Sequence, residues 1–425
     1  MDREALRMVC SPQFWRMGVL WTLSLLYSYL LLFLRGRTAA PRRREDVRRG
    51  GRPICVVTGA TSGLGRAAAA ALAREGYHVV LAGRSAQLLS ETAKEIRRQQ
   101  PDACLEAFQV DLSSYRSIKK FEASLNQWIW DSNLEPSIQL LINNAGMLAK
   151  SHRVTEDGID EVMQTNYIGP FILTSILLPL LKNSPVPSRV VNLTSFTHRC
   201  VSEIDVSEEA LQGVKFGQHS VGGSYPLAST YEYTKCMLLA LVFASCSSNL
   251  QNLSVSFSPI AVCLLVFSYE LHRQLNISSG ISVMAADPGV VETRIMRELP
   301  PCLSRFAFFI LRTLNLLQQP DTGIGAVLDA ALAPPVTFLS KPSQSFCYFD
   351  TRKTMYRHSV PALSFSSVSQ EASGKYFFGG KGRTIRSSVL SYDIEVAKKL
   401  WAASSALLRD LRLRDRESRT GRTSL

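Results

Sequence analysis

The chain has 425 residues, 46% of them apolar and 20% charged, which is enough for a sizeable core in one large domain or two smaller ones. Its formal charge of +13 sits mainly at the ends, with +7 in residues 1–52 and +3 in residues 409–425. The body is nearly neutral and has no basic stripe with interleaved aromatics, which argues against a nucleic-acid partner. Nine cysteines without a CxxC pair argue against a zinc site or a disulfide framework and fit a reducing compartment.

Residues 17–34, MGVLWTLSLLYSYLLLFL, form an uncharged apolar run of about the minimum length for a membrane span. Seven arginines follow within fifteen residues, against three before the run. That bias predicts a retained single-pass anchor with residues 35–425 in the cytosol. A cleaved signal peptide would be shorter and would end in a small-residue cleavage site. The endoplasmic reticulum is the first expectation for the membrane and the chloroplast envelope the second. A transit peptide fits less well, because such peptides are Ser-rich rather than Leu-rich.

The nucleotide-binding signal begins at Pro53. PICVVT reads as a buried strand, Gly59-Ala-Thr-Ser-Gly63-Leu-Gly65 as a turn, and RAAAAALAREG as a helix. Strand, glycine turn and helix N-terminus together present backbone N–H groups to a pyrophosphate. YHVVLAG (77–83) is a second strand. Its end carries Gly83 and Arg84, where an NAD-preferring fold places an acid for the ribose 2′-OH. A guanidinium there suits a 2′-phosphate and predicts NADP(H). The alternation goes on through strand 104–110, ending in Asp111-Leu112, and a helix over 114–129. Strand 138–142 follows, ending in NNAG, then helix 156–182, strand 188–194, and strand 281–286, ending in Asp287-Pro288-Gly289. Repeated βα units predict a doubly wound parallel sheet with ligands at the strands' C-terminal ends.

TGATSGLG, Asp111, NNAG, the Asn of QTNYIG, the Ser of NLTSF, YEYTK and DPGVVET stand in this order. In that combination the chain resembles the short-chain dehydrogenase/reductase family over about residues 53–335 and 371–410. The likeness is greatest to its retinol-dehydrogenase-like branch, to plant proteins related to the chloroplast translocon's dehydrogenase component, and to the X-linked dehydrogenase/reductase of animals. The resemblance implies a Rossmann domain. By motif, Gly59, Ser62, Gly63, Leu64 and Gly65 would cradle the pyrophosphate. Arg84, Asp111 and Leu112 would meet the adenosine end, Asn143 and Ala145 would lie along it, and Pro288, Gly289 and Thr293 would meet the carboxamide. No metal site is implied.

Tyr231 and Lys235 stand four residues apart and so share one helix face. A phenol ordinarily titrates at about 10, and a neighbouring ammonium favours its anion. Tyr231 is then a usable general acid toward a carbonyl oxygen, or a base toward an alcohol. The family pattern adds that Lys235 bonds the nicotinamide ribose, Ser195 orients the substrate oxygen and Asn166 supports a proton relay through Lys235. Tyr233 lacks the four-residue spacing, Thr194 is the less favoured hydroxyl, and His198, a lone loop histidine, reads as structural.

Two segments fit no helix or strand period: 240–265, behind YEYTK, and 336–370. Joining residues 239 and 266 would give one amphipathic helix. Both segments read as translated intervening sequence, with genuine loops as the alternative. The domain plan is therefore an anchor and basic linker at 1–52, a Rossmann domain at 53–410 with these two inserts, and a basic disordered tail at 411–425. The expected function is a membrane-anchored NADP(H)-dependent oxidoreductase acting on a lipophilic alcohol, aldehyde or ketone, and a homodimer is possible. An NADPH-binding sensor or scaffold, or an inactive splice form, is the alternative.

Overall fold

The structure is a computed structural model. It describes residues 12–35, 37–38, 52–149, 151–199, 205–213, 268–271, 273–275, 280–293, 295, 301–333 and 375–420. Helix α1 (Pro12–Arg35) and a short β1 (Arg37–Thr38) come first. The alternating units then run β2 (Ile54–Thr58), α2 (Gly63–Arg74), β3 (His78–Gly83), α3 (Ala86–Gln99), β4 (Leu105–Gln109), α4 (Tyr115–Asp131), β5 (Leu140–Asn143), α5 (Gly169–Lys182) and β6 (Ser188–Leu193). Past the segment behind YEYTK come β7 (Ile281–Asp287), β8 (Val290–Val291), α6 (Pro301–Thr313), β9 (Leu317–Gln318) and α7 (Gly325–Leu332). The chain closes with β10 (Tyr376–Phe378), β11 (Arg383–Thr384) and α8 (Ile394–Thr420).

The main sheet runs β1-β11-β10-β7-β6-β5-β2-β3-β4, parallel from β10 to β4. Every residue of β2, β5 and β6 is buried, because helices cover both faces. Strand alternation sorts the side chains into two layers. Ile54 and Val56 join α4, α5 and α8 on one side, while Cys55 and Val57 join α2, α3 and α7 on the other. Ser85 and Ser114 start α3 and α4 by accepting from Leu88 N and Ser117 N, caps worth about 1 kcal/mol each. The chain leaves β2 toward β3 on one side and reaches β5 on the other, which makes the C-terminal ends of β2 and β5 the topological switch point.

Helix α1 packs against the body of the fold. Ser24, Leu25, Ser28 and Leu32 recur at helical spacing on α1 and are all buried. Leu25 and Leu32 join a cluster with Phe196, Tyr269, Phe378 and Ile385. β1 then pairs antiparallel with β11, Arg37 opposite Thr384. Among the described residues no helix is long and apolar enough to cross a membrane. The inward face of α1 carries serines that bond to the domain.

At the C-terminus residues 411–420 continue α8. Leu400, Leu407, Leu408 and Leu411 make one buried stripe on the α4/α5 side, and Arg414 pairs with Asp410 one turn back. The inserts 240–265 and 336–370 lie outside the described residues. Beyond the first insert, residues 268–271 and 273–274 are helical, and Leu271 and Leu275 enter the core. Beyond the second, β10 pairs parallel with β7.

Candidate active site

At the end of β2, Thr58 Oγ1 accepts from Asn144 N and Ala145 N, each at 3.0 Å, and Asn144 Nδ2 donates to Thr58 O at 2.7 Å. These bonds stitch β2 to β5 at the switch point. Gly59 and Gly63 have φ of +66° and +52°, the left-handed region that favours glycine. A Cβ on Gly65 would stand 2.2 Å from Gly59 O, so the turn closes only around glycine. Ser62 precedes α2 without a side-chain capping bond, which leaves the first-turn N–H groups for an anion. A Cβ on Gly63 would meet Thr293 Cγ2 at 3.0 Å, which brings the loop after β7 against the first turn. Leu64 packs toward Gly323. This cradle fits a dinucleotide pyrophosphate.

At the other end, Arg84 Nη1 lies 3.7 Å from Glu161 Oε1, and the Arg84 side chain is half-exposed. Glu161 also pairs with Arg153. Asp111 Oδ1 accepts from Ser113 N and Ser113 Oγ, which rigidifies the β4 exit, and Leu112 is buried beneath it. Arg84 is thus held next to Gly83 at the end of β3.

Asn143 turns its side chain into the layers of the fold. Its side chain is 2% exposed and donates to Asn192 Oδ1 at 2.7 Å and Thr174 Oγ1 at 3.0 Å. Asn192 Nδ2 in turn donates to Ser268 Oγ at 2.8 Å. Asn143 still belongs to the strand, so its amide is taken up inside the layers, and the turn is made by its neighbours Asn144 and Ala145.

Asn166 lies in a π-helical turn, Gln164–Ile168, that leads into α5. Its Oδ1 accepts from Met147 N at 2.8 Å and its Nδ2 donates to Met147 O at 2.9 Å. That clamp fixes the loop after β5. Irregular turns of this kind are frequent at functional sites.

Ser195 follows β6 and is partly exposed, whereas Thr194 is buried with its hydroxyl 3.3 Å from Ala286 O. Of the two hydroxyls, only that of Ser195 remains for a ligand. Thr197 N donates to Ser195 Oγ at 3.4 Å. His198 is fully buried, and burial first, then the Arg199 charge, hold its pKa well below the ordinary value. Its Nε2 accepts from Ser388 N at 3.2 Å, so Nδ1 carries the proton and donates to Ser195 O at 2.7 Å. His198 is a neutral strut, with both ring nitrogens engaged. Tyr231, Tyr233 and Lys235 lie outside the described residues.

On the β7 side, Asp287 is fully buried. It accepts from Gly289 N at 2.8 Å and from the Tyr376 hydroxyl. Burial, then the Asp287 charge, push the Tyr376 phenol well above its ordinary value and keep it a donor. Gly289 adopts φ +74°, and Pro288 O accepts from Gln318 Nε2 at 3.1 Å. Thr58 and Asn144 stand inside the TGATSGLG and NNAG motifs without a role of their own in the sequence reading, and Arg199 and Tyr376 carry no signal in the sequence. Among the described residues no group of three His, Cys, Asp or Glu side chains gathers as a metal site.

The family profile described as short chain dehydrogenase matches residues 53–202, which span this first turn, Asn166 and Ser195. The chain belongs to the short-chain dehydrogenase/reductase family. Human retinol dehydrogenase 13 is 29% identical over 354 residues, covering 83% of each protein. The Arabidopsis thaliana dehydrogenase/reductase SDR family member FEY is 31% identical over 289 residues, 66% of this chain and 65% of that protein. Human polyprenol dehydrogenase is 29% identical over 285 residues, 66% of this chain and 73% of that protein. A solved structure from Mycobacterium paratuberculosis, an uncharacterised protein, superposes with a TM-score of 0.51 at 23% identity. It covers 88% of this chain and 98% of its own, which supports the fold.

Proposed function

We propose that the protein is an NADP(H)-dependent oxidoreductase that interconverts an alcohol and a carbonyl on a lipophilic substrate beside a membrane. The observation that carries this reading is the closed Gly59–Gly65 turn at the end of β2, with Ser195 at the same end of β6, two strands away in the same sheet. Arg84, with no acid at the end of β3, supports NADP(H) over NAD(H).

The cofactor supplies or accepts the hydride at the substrate carbon. The chain's residues handle the oxygen. In reduction, Tyr231 gives its proton to the carbonyl oxygen, and the Lys235 ammonium lowers the cost of the phenolate left behind. Ser195 Oγ hydrogen-bonds the same oxygen and orients it. Asn166 fixes the loop after β5 and, by the family pattern, supports a proton relay through Lys235. In oxidation, Tyr231 removes the alcohol proton. Relatives carrying the names retinol and polyprenol dehydrogenase support a lipophilic alcohol as substrate class.

The membrane reading rests on the outer faces of two helices. α1 turns Ser24 and Ser28 inward and leaves Leu30, Phe33 and Leu34 at 50%, 88% and 63% exposure. α6 and the residue after it expose Phe306, Phe309, Ile310 and Leu314. Helices that leave large apolar side chains outward suit a lipid surface on which they lie flat. The membrane would be that of the endoplasmic reticulum or the chloroplast envelope.

NADPH oxidation by the full chain in detergent micelles, against long-chain aldehydes and ketones, tests the reading. Turnover abolished by Tyr231→Phe with NADPH still bound is the expected result. Turnover that survives this substitution would remove Tyr231 from the chemistry. A parallel chain lacking 240–265 and 336–370 shows whether those segments suppress activity.

A further inference from the structure

Helix α1 touches both loops that flank the end of the site where Ser195 lies. On the β6 side, Ser24 Oγ donates to Phe196 O at 2.8 Å, one residue after Ser195. Arg199 Nε donates to Ser28 Oγ at 3.0 Å. On the β7 side, Gln318 Nε2 donates to Pro288 O at 3.1 Å and lies 3.4 Å from the Tyr29 hydroxyl. That hydroxyl is also 3.6 Å from where a Cβ of Gly289 would stand. The Tyr29 ring meets the Phe378 ring edge-on, with centroids 5.2 Å apart.

Arg199 is the hub. It is 2% exposed, and its Nη2 donates to Arg386 O at 2.6 Å. Its guanidinium carbon lies 5.6 Å from the Tyr376 ring centroid and 5.9 Å from that of Tyr27. A buried cation is costly unless its donors are satisfied, and this one is satisfied jointly by α1, by the segment after β11, and by the Tyr376 ring whose hydroxyl bonds Asp287. The arrangement links the loop of Ser195, the loop of Pro288 and α1. A helix serving only as a tether needs no such bonds.

We propose that α1 is a built part of the active site, and that Arg199 is a positioning residue that holds the Ser195 loop through Ser28. The proposal rests on the reading of Ser195 as the group that orients the substrate oxygen. The helix then sets the geometry of the reacting oxygen, in addition to whatever membrane contact its outer face makes.

The test uses the full chain in detergent micelles with Arg199→Met, Arg199→Lys and the double variant Ser24→Ala/Ser28→Ala. Hydrogen exchange of residues 18–34 and 194–199, NADPH affinity by nucleotide fluorescence, and kcat and KM are measured together. Arg199→Met is expected to speed exchange in both segments about tenfold. It should change NADPH affinity by less than about twofold and lower kcat about tenfold. Arg199→Lys should recover part of kcat. The double serine variant should show the same coupled exchange without disturbing the buried cation's other partners, and it decides the matter if Arg199→Met does not fold. Unchanged exchange at 194–199 in the serine variant, or unchanged kcat in the presence of faster exchange, overturns the proposal. A wild-type chain that binds NADPH but turns over no carbonyl counts against the oxidoreductase reading instead, and the exchange result then decides whether α1 holds the loop.

Discussion

Arg199 and Ser28 are 171 positions apart in sequence and hydrogen-bonded at 3.0 Å. The bond joins an apolar N-terminal helix to the turn directly after Ser195, so the N-terminus and the site share one hydrogen-bonded framework.

Gly65→Ala is expected to damage the first turn, because its Cβ would stand 2.2 Å from the carbonyl oxygen of Gly59, which is backbone and cannot swing away. Overpacking of this kind costs about 1–3 kcal/mol. A fluorescence titration should show NADPH affinity reduced at least about tenfold. Wild-type affinity would mean the turn opens freely and is no cradle.

Arg84→Ala should separate the two nicotinamide cofactors. Losing a charged hydrogen bond to a 2′-phosphate costs about 1.5–3 kcal/mol, so NADPH should bind about ten- to a hundredfold more weakly while NADH is unaffected. Equal losses for both would place Arg84 elsewhere than at the 2′-phosphate.

His198 predicts a pH dependence of stability. Its folded pKa lies well below the ordinary value because it is buried beside Arg199. Between the two pKa values the unfolded chain binds a proton that the folded chain does not. Stability from this group is therefore complete above about pH 6.5 and declines as pH falls below that value. Urea midpoints between pH 5 and pH 8 should fall more steeply toward acid in the wild type than in His198→Gln. His78, shifted in the same direction by burial, is common to both proteins and cancels in the comparison. Parallel slopes would show that His198 does not titrate on unfolding.

Asn192→Leu should loosen the helical residues beyond the first insert. Asn192 is fully buried and bonds both Asn143 and Ser268. Leaving the Asn143 amide without this partner costs about 1–3 kcal/mol. Protease cleavage or hydrogen exchange at 268–275 should rise together with the loss of stability. A chain with normal protection there would not depend on this bond to seat the segment.

Leu400→Ala should cost about 2–4 kcal/mol, because Leu400 is 1% exposed in the α4/α5 layer. Leu413→Ala, on the same helix at 56% exposure, should stay within about 0.5 kcal/mol. Equal melting temperatures for the two variants would mean that α8 is not docked.

Local chemistry determined much of this protein directly from the sequence. Continuous β-branched runs such as ICVVT can be satisfied only between two helix layers, and a Gly59–Gly65 turn before an alanine-rich helix suits only a close phosphate approach, so the α/β class and the cradle were legible. Motif singles out Ser195 in the sequence; only the sheet shows that the neighbouring Thr194 hydroxyl is taken up at Ala286 O while Ser195 stays partly exposed. Asn143 and Asn144 are indistinguishable as letters; one faces the layer and the other the turn, and strand phase at the end of β5 decides which. Residues 411–420 read as a charged tail because their apolar partners lie in α4 and α5, far away in sequence. The largest difference concerns α1. Hydropathy averages a helix over all its faces and reports an apolar run, whereas Ser24 and Ser28 lie on one stripe whose partners, Phe196 O and Arg199, are more than 170 residues away. A hydrogen bond across that separation leaves no periodic trace in the chain, so only the tertiary structure could show that the helix bonds to the turn after Ser195.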